Sequence, residues 1–118
     1  MIVEDNDRLA SVIQEVLENE GHEVRTGRDG MDGYLTYLLF RPAVIITDIH
    51  MPKTNGLEMM EKIRVLNPRV RTIYMSGDPS PFGSLLEEER NRYQVSILQK
   101  PFSRIELIRL VSGDGVNP

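Results

Sequence analysis

The chain contains neither cysteine nor tryptophan. Without thiols there is no disulfide framework and no thiolate metal site, and a reducing compartment suits the composition. Basic charge is also short: 14 Lys and Arg stand against 18 Asp and Glu, a formal net charge of −4. Phosphate backbones are bound mainly through clustered Lys and Arg, so no direct nucleic-acid contact is expected. No apolar run approaches the roughly 18 residues of a membrane span, and no charged start leads into an apolar stretch as in a signal peptide. The expectation is a cytoplasmic segment without membrane contact of its own. A P-loop is excluded by the absence of G-x-x-x-x-G-K-[ST]. What remains is 40% hydrophobic and 27% charged, the balance of a packed globular domain. At 118 residues one core is expected, with the domain at 1–112 and a tail at 113–118.

Apolar and turn residues alternate in a regular order. A short oily start at 1–3 precedes a helix at 7–20, where Leu9, Val12, Ile13, Val16 and Leu17 recur at steps of three and four and Gly21 closes the element. A strand is expected at 22–26 around Val24, between Gly21 and Gly27. A second helix at 31–40 carries Met31, Tyr34, Leu35, Leu38 and Leu39 at helical spacing and is stopped by Pro42. The continuous apolar run at 43–47 reads as a strand covered on both faces. A helix at 57–66 with Met60, Ile63 and Leu66 on one side, a strand at 70–75, a polar helix at 84–92 and a strand at 95–98 follow. Ser103 and Glu106 form a capping box ahead of the last helix. Strands alternating with helices predict an α/β fold: a parallel sheet with helices on both faces, because parallel neighbours need a crossover and a helix supplies it. The brevity of the first strand suggests trimming from a longer protein.

In such folds ligands bind outside the carboxyl ends of the strands. The residues there are Glu4 and Asp5 after the first strand, Asp48 after the third, Ser76 and Gly77 after the fourth, and Lys100 after the fifth. Three carboxylates in one pocket repel one another unless a cation compensates. Hard oxygen ligands favour magnesium over zinc. Lys100 would hold one phosphoryl oxygen, and the Ser76 hydroxyl and Gly77 amide another. With Asp48 as nucleophile, this is equipment for phosphoryl transfer.

The stretches VEDN (3–6), ITDIHMPKTNG (46–56), YMSGD (74–78) and LQKPF (98–102) together resemble the receiver domain of two-component response regulators over nearly the whole chain. The resemblance implies a five-stranded parallel sheet of order 2-1-3-4-5 flanked by five helices. It implies that Asp48 accepts a phosphoryl group from a histidine kinase or phosphotransfer domain and so changes affinity for a downstream protein target. It further implies that Glu4, Asp5, Asp48 and the backbone carbonyl of His50 bind magnesium, that Ser76 is the hydroxyl switch residue, that Lys100 binds the phosphoryl group, and that the Lys100-Pro101 bond is cis. The family also includes homodimers formed through the last helices and strand, and receivers attached to hybrid sensor kinases.

This sequence departs from the family pattern in two places. Ile97 stands where the family usually has Tyr or Phe, and GDPSPFGS (77–84) replaces a small, acidic helix start. Signal output is therefore expected to run through the loop after Ser76 and the helix beyond it, with that loop locally irregular. Three other functions compete with this one. A magnesium-dependent phosphohydrolase would commonly carry a second aspartate two residues after the nucleophile, where this chain has His50. An FMN carrier lacks its Ser/Thr-rich loop after the first strand. A phosphorylation-independent interaction domain remains the alternative. The runs Glu87 to Glu89 and Met59-Met60 read as a solvated helix face and as core or surface filler.

Overall fold

The computed structural model describes residues 1–50 and 55–113. The elements are β1 (Ile2–Val3), α1 (Asp7–Asn19), β2 (Thr26–Gly27), α2 (Gly30–Phe40), β3 (Val44–Asp48), α3 (Gly56–Leu66), β4 (Arg71–Ser76), a 3-10 turn (Ser80–Phe82), α4 (Gly83–Arg92), β5 (Val95–Gln99) and α5 (Arg104–Ser112). The five strands form one sheet of order 2-1-3-4-5, every pair parallel, as the motif resemblance implied. Residues 51–54 of the second motif, and 114–118 of the expected tail, lie outside the described residues.

Local chemistry sets most element ends. Asn6 caps α1 by accepting from the Leu9 N–H at 3.1 Å, and Gly21 takes the positive φ of +91° that lets the chain leave that helix. Asp29 and Asn55 cap α2 and α3 in the same way. The Ser103–Glu106 capping box is formed in both directions. α4 is the exception: its first turn follows the 3-10 turn and has no side-chain cap.

The sheet separates two apolar layers. Ile45, Ile49, Met59, Met60, Ile63 and Tyr74 belong to the layer under α2, α3 and α4. Ile2, Ile13, Leu17, Ile46, Ile73, Met75 and Leu107 belong to the layer under α1 and α5. Of the two places expected for Met59 and Met60, core or surface, the structure puts both in the core.

Two expectations are corrected. The second strand is not 22–26 but the two residues Thr26–Gly27. Val24 is buried, yet pairing begins only where Ile2 N–H reaches the Arg25 carbonyl, at 2.8 Å, and Glu4 N–H the Gly27 carbonyl, at 3.0 Å. Gly27 lies inside the strand because a Cβ there would come within 2.9 Å of the Gly33 backbone. α2 exists as expected but turns the other face inward. Gly30, Gly33 and Tyr37 are buried, while Met31, Leu35, Leu38 and Leu39 are exposed, Leu39 to 91%. A side chain at Gly33 would meet Met59 Sδ at 2.6 Å and Val3 Cγ2 at 2.9 Å. Only a glycine face lets α2 approach β1 this closely, so close packing outweighs the larger apolar stripe.

Candidate functional site

The register brings the strand ends level. Val3 lies opposite Thr47, so the residues that follow it, Glu4 and Asp5, meet Asp48 at the end of β3. Asp48 lies opposite Met75, and Ser76, the next residue, opposite Gln99. Lys100 follows, its N–H donating to the Ser76 carbonyl at 2.8 Å.

Lys100 joins the two ends of the chain. Its ammonium donates to Glu4 Oε1 at 2.9 Å and to Asp48 Oδ2 at 3.1 Å. The remaining carboxylate oxygens take backbone donors: Glu4 Oε2 accepts from Asn6 N–H at 3.1 Å and Asp48 Oδ1 from His50 N–H at 3.2 Å. Glu4 and Asp48 are buried, at 2% and 8% exposure, whereas Asp5 faces solvent. One carboxylate oxygen from each of Glu4, Asp5 and Asp48 lies within 4.8 Å of the other two. These are hard oxygen donors at a spacing that one small divalent cation can bridge.

Burial pushes the Glu4 carboxyl above its ordinary pKa, and the nearby Asp48 charge adds to that, although Lys100 and the Asn6 N–H pull it back. For Lys100, burial alone would lower the pKa. Its hydrogen bonds to Glu4 and Asp48 outweigh burial and raise it above the usual lysine value. The lysine is thus held as an ammonium while the site is loaded with more negative charge than it can neutralise.

Asp48 is fixed from behind. Thr47 Oγ1 donates to the Asp48 carbonyl at 2.9 Å, and a Cβ on Gly56 would approach that same oxygen to 2.3 Å. Glycine at the first position of α3 therefore lets the helix start against the aspartate's backbone. Ser76 is buried, and its Oγ accepts from the Asp78 N–H at 3.1 Å. The His50 ring makes an edge contact with Phe82, centroids 4.7 Å apart at 65°, so the histidine touches the site through its N–H and the loop after β4 through its ring. The Lys100-Pro101 bond is cis. Ile97 lies opposite Tyr74 in the β4–β5 register and lines an open groove of about 620 Å³ with Pro79, Gly83, Leu86 and Arg90.

The sequence reading missed a second polar cluster, behind the sheet from Lys100. Glu89 does not simply face solvent: its Oε1 accepts from Arg64 Nη1 at 2.5 Å and from the Tyr74 hydroxyl at 2.6 Å. Arg64 Nη2 donates to Thr72 Oγ1 at 3.0 Å. The available signal was an arginine directly after Ile63 on the buried side of α3, and Thr72 and Tyr74 alternating along one face of β4.

The family model described as response regulator receiver domain matches residues 1–112. The DNA-binding transcriptional regulator NtrC of Azospirillum brasilense is 32% identical over 94% of this chain, which spans only 23% of that protein's length. Sporulation initiation phosphotransferase F of Bacillus subtilis is 23% identical over 91% of this chain and 85% of its own. Among solved structures, the chemotaxis protein CheY4 of Vibrio cholerae superposes with a TM-score of 0.85 at 24% identity, covering 95% of this chain and 93% of its own.

Proposed function

Because this chain belongs to the response regulator receiver domain family, we propose that Asp48 is the residue on which it takes up a phosphoryl group. The chain is a receiver domain of two-component signalling, a class that accepts phosphoryl groups from histidine kinases and acts on downstream effectors. The observation that carries the assignment is the Lys100 ammonium held between Glu4 and Asp48 across 96 and 52 residues of sequence.

An Asp48 carboxylate oxygen attacks phosphorus. The new O–P bond forms as the bond to the donor, a phosphohistidine nitrogen or the acetyl oxygen of acetyl phosphate, breaks with its electron pair on the leaving group. The residues around Asp48 prepare it for this. The His50 N–H and Lys100 orient its two oxygens, and Gly56 packs against its backbone. Lys100 lies where it can follow the negative charge onto a phosphoryl oxygen. Ser76 would exchange the Asp78 N–H for another phosphoryl oxygen, which ties the modified state to the loop after β4. Glu4, Asp5, Asp48 and the His50 carbonyl are the residues that would hold magnesium, which when bound neutralises the carboxylates and the incoming phosphoryl oxygens. What supports this reading over a phosphohydrolase is His50, two residues after Asp48, which brings no second carboxylate and packs its ring on Phe82.

The partners follow from that chemistry: a histidine kinase or phosphotransfer domain as donor, a downstream protein as target, and the cytoplasm as the place where they meet. Among the described residues no helix is long and apolar enough to cross a membrane. The test is incubation with acetyl phosphate and magnesium, read by intact mass. One phosphoryl group should be gained, and the gain should vanish in Asp48→Asn or when magnesium is chelated. Undiminished labelling of Asp48→Asn would move the acceptor elsewhere. No gain by the folded parent would favour a phosphorylation-independent interaction domain, with Ile97 at the centre of the explanation.

A further inference from the structure

The two halves of α4 are held very differently. Near its C-terminal end Glu89 accepts from Arg64 of α3 and from Tyr74 of β4, while Arg64 also reaches Thr72. The guanidinium carbon of Arg64 lies 4.3 Å from the centre of the Tyr93 ring, and Tyr93 is the residue that ends α4, its N–H on the Glu89 carbonyl at 2.8 Å. The side chains of Arg64 and Glu89 are only 3% and 16% exposed. An ion pair this sheltered is strengthened by its surroundings, and losing either partner would leave a buried charge uncompensated.

At the other end nothing comparable exists among the described residues. The first turn of α4 has Phe82 in the cap position with no side-chain hydrogen bond and no acidic residue to meet the helix dipole. Leu86 is its one buried side chain. The groove of about 620 Å³ in front of Ile97 runs along α4 from Gly83 and Leu86 to Arg90 and Asn91, so the two halves differ in how they are held and not in the space beside them. The chain leading into it is the short link from Ser76 through the 3-10 turn, joined to the phosphoryl site by the Phe82–His50 ring contact.

We propose that α4 is anchored at one end only: Arg64, Glu89 and Tyr74 are positioning residues that fix its C-terminal half, so that a change at Ser76 is absorbed by residues 77–86 alone. Output would then be written on the groove in front of Ile97 and not on the helix as a rigid body. This rests on Asp48 accepting the phosphoryl group. Ile97 lacks the bulk to fill the groove, and Tyr74, its neighbour in the sheet, is bonded to Glu89 and pins the helix.

Hydrogen–deuterium exchange of the full chain tests it, before and after acetyl phosphate and magnesium, with the phosphoryl gain read by intact mass on the same sample. In the resting protein, amides of 83–86 should exchange about tenfold faster than those of 89–93, as expected for a locally weaker unit. Phosphorylation should alter exchange within 77–86 and leave 89–93 unchanged. Tyr74→Phe and Glu89→Gln, which keep the shape of the cluster, should each raise exchange of 89–93 by about tenfold, the effect of one lost charge-assisted hydrogen bond. In both variants the phosphorylation response should spread into 89–93. Equal protection of the two halves at rest, a response along the whole helix in the parent, or variants with unchanged 89–93 would overturn the proposal. If no phosphoryl group is gained, the Asp48 assignment fails by itself, and the resting gradient and its loss in the variants still decide the anchor.

Discussion

At the scale of single residues, the site is a balance of charge in which burial decides the direction. Glu4 is the clearest case, because its carboxyl is buried beside Asp48 and keeps its proton to a higher pH than an ordinary glutamate. A folded state that binds a proton more tightly than the unfolded chain is favoured at low pH. The contribution is complete below the ordinary glutamate range and is lost as pH rises through the raised value. Glu4→Gln should therefore remove a downward step in stability between those two limits, measured by urea unfolding at a series of pH values without magnesium. A parent showing no such step, or a variant retaining it, would contradict the assigned cause. Glu4, Asp5, Asp48, Ser76 and Lys100 were all legible in the sequence, since each sits next to an apolar run that ends in a turn. Arg64, Glu89 and Tyr74 were not. Each has an ordinary surface or core explanation alone, and only their meeting across α3, α4 and β4 gives them a role.

At the scale of elements, capping was readable and facing was not. The capping box at Ser103 and Glu106 involves residues three apart, so the sequence contains all of it, and the structure forms it at 3.1 and 3.3 Å. Ser103→Ala should cost about 1 kcal/mol, seen as a lower urea midpoint with unchanged slope. The opposite end of α5 depends on a distant residue: Arg71, at the start of β4, donates to the Leu110 and Val111 carbonyls at 2.5 and 2.9 Å. That is a cationic partner for the helix C-terminus, where it complements the dipole. Nothing local to α5 announces it. The reversed face of α2 has the same origin, because its glycines matter only once Val3 and Met59 are against them.

At the scale of the whole molecule, four strand ends build one anionic pocket, and Lys100 is the lysine placed in it among the described residues. Magnesium binding there should stabilise the folded chain by mass action, about 2.7 kcal/mol at one hundred times the dissociation constant. The melting temperature should rise with magnesium concentration, and the rise should shrink in Asp5→Asn, whose exposed side chain contributes little to the fold itself. An equal rise in that variant would place the ion elsewhere. The sequence by itself determined the order of elements, the α/β class, the strand-end residues and, through four motifs, the family, because periodicity, turn chemistry and strand termini are encoded within a few residues of one another. The tertiary structure alone decided that β2 shrinks to two residues, that α2 buries its glycine face, and that Arg64 and Tyr74 hold Glu89. These depend on which surfaces come close across 15 to 25 residues or more of chain, and close packing selects among faces that sequence spacing leaves equivalent.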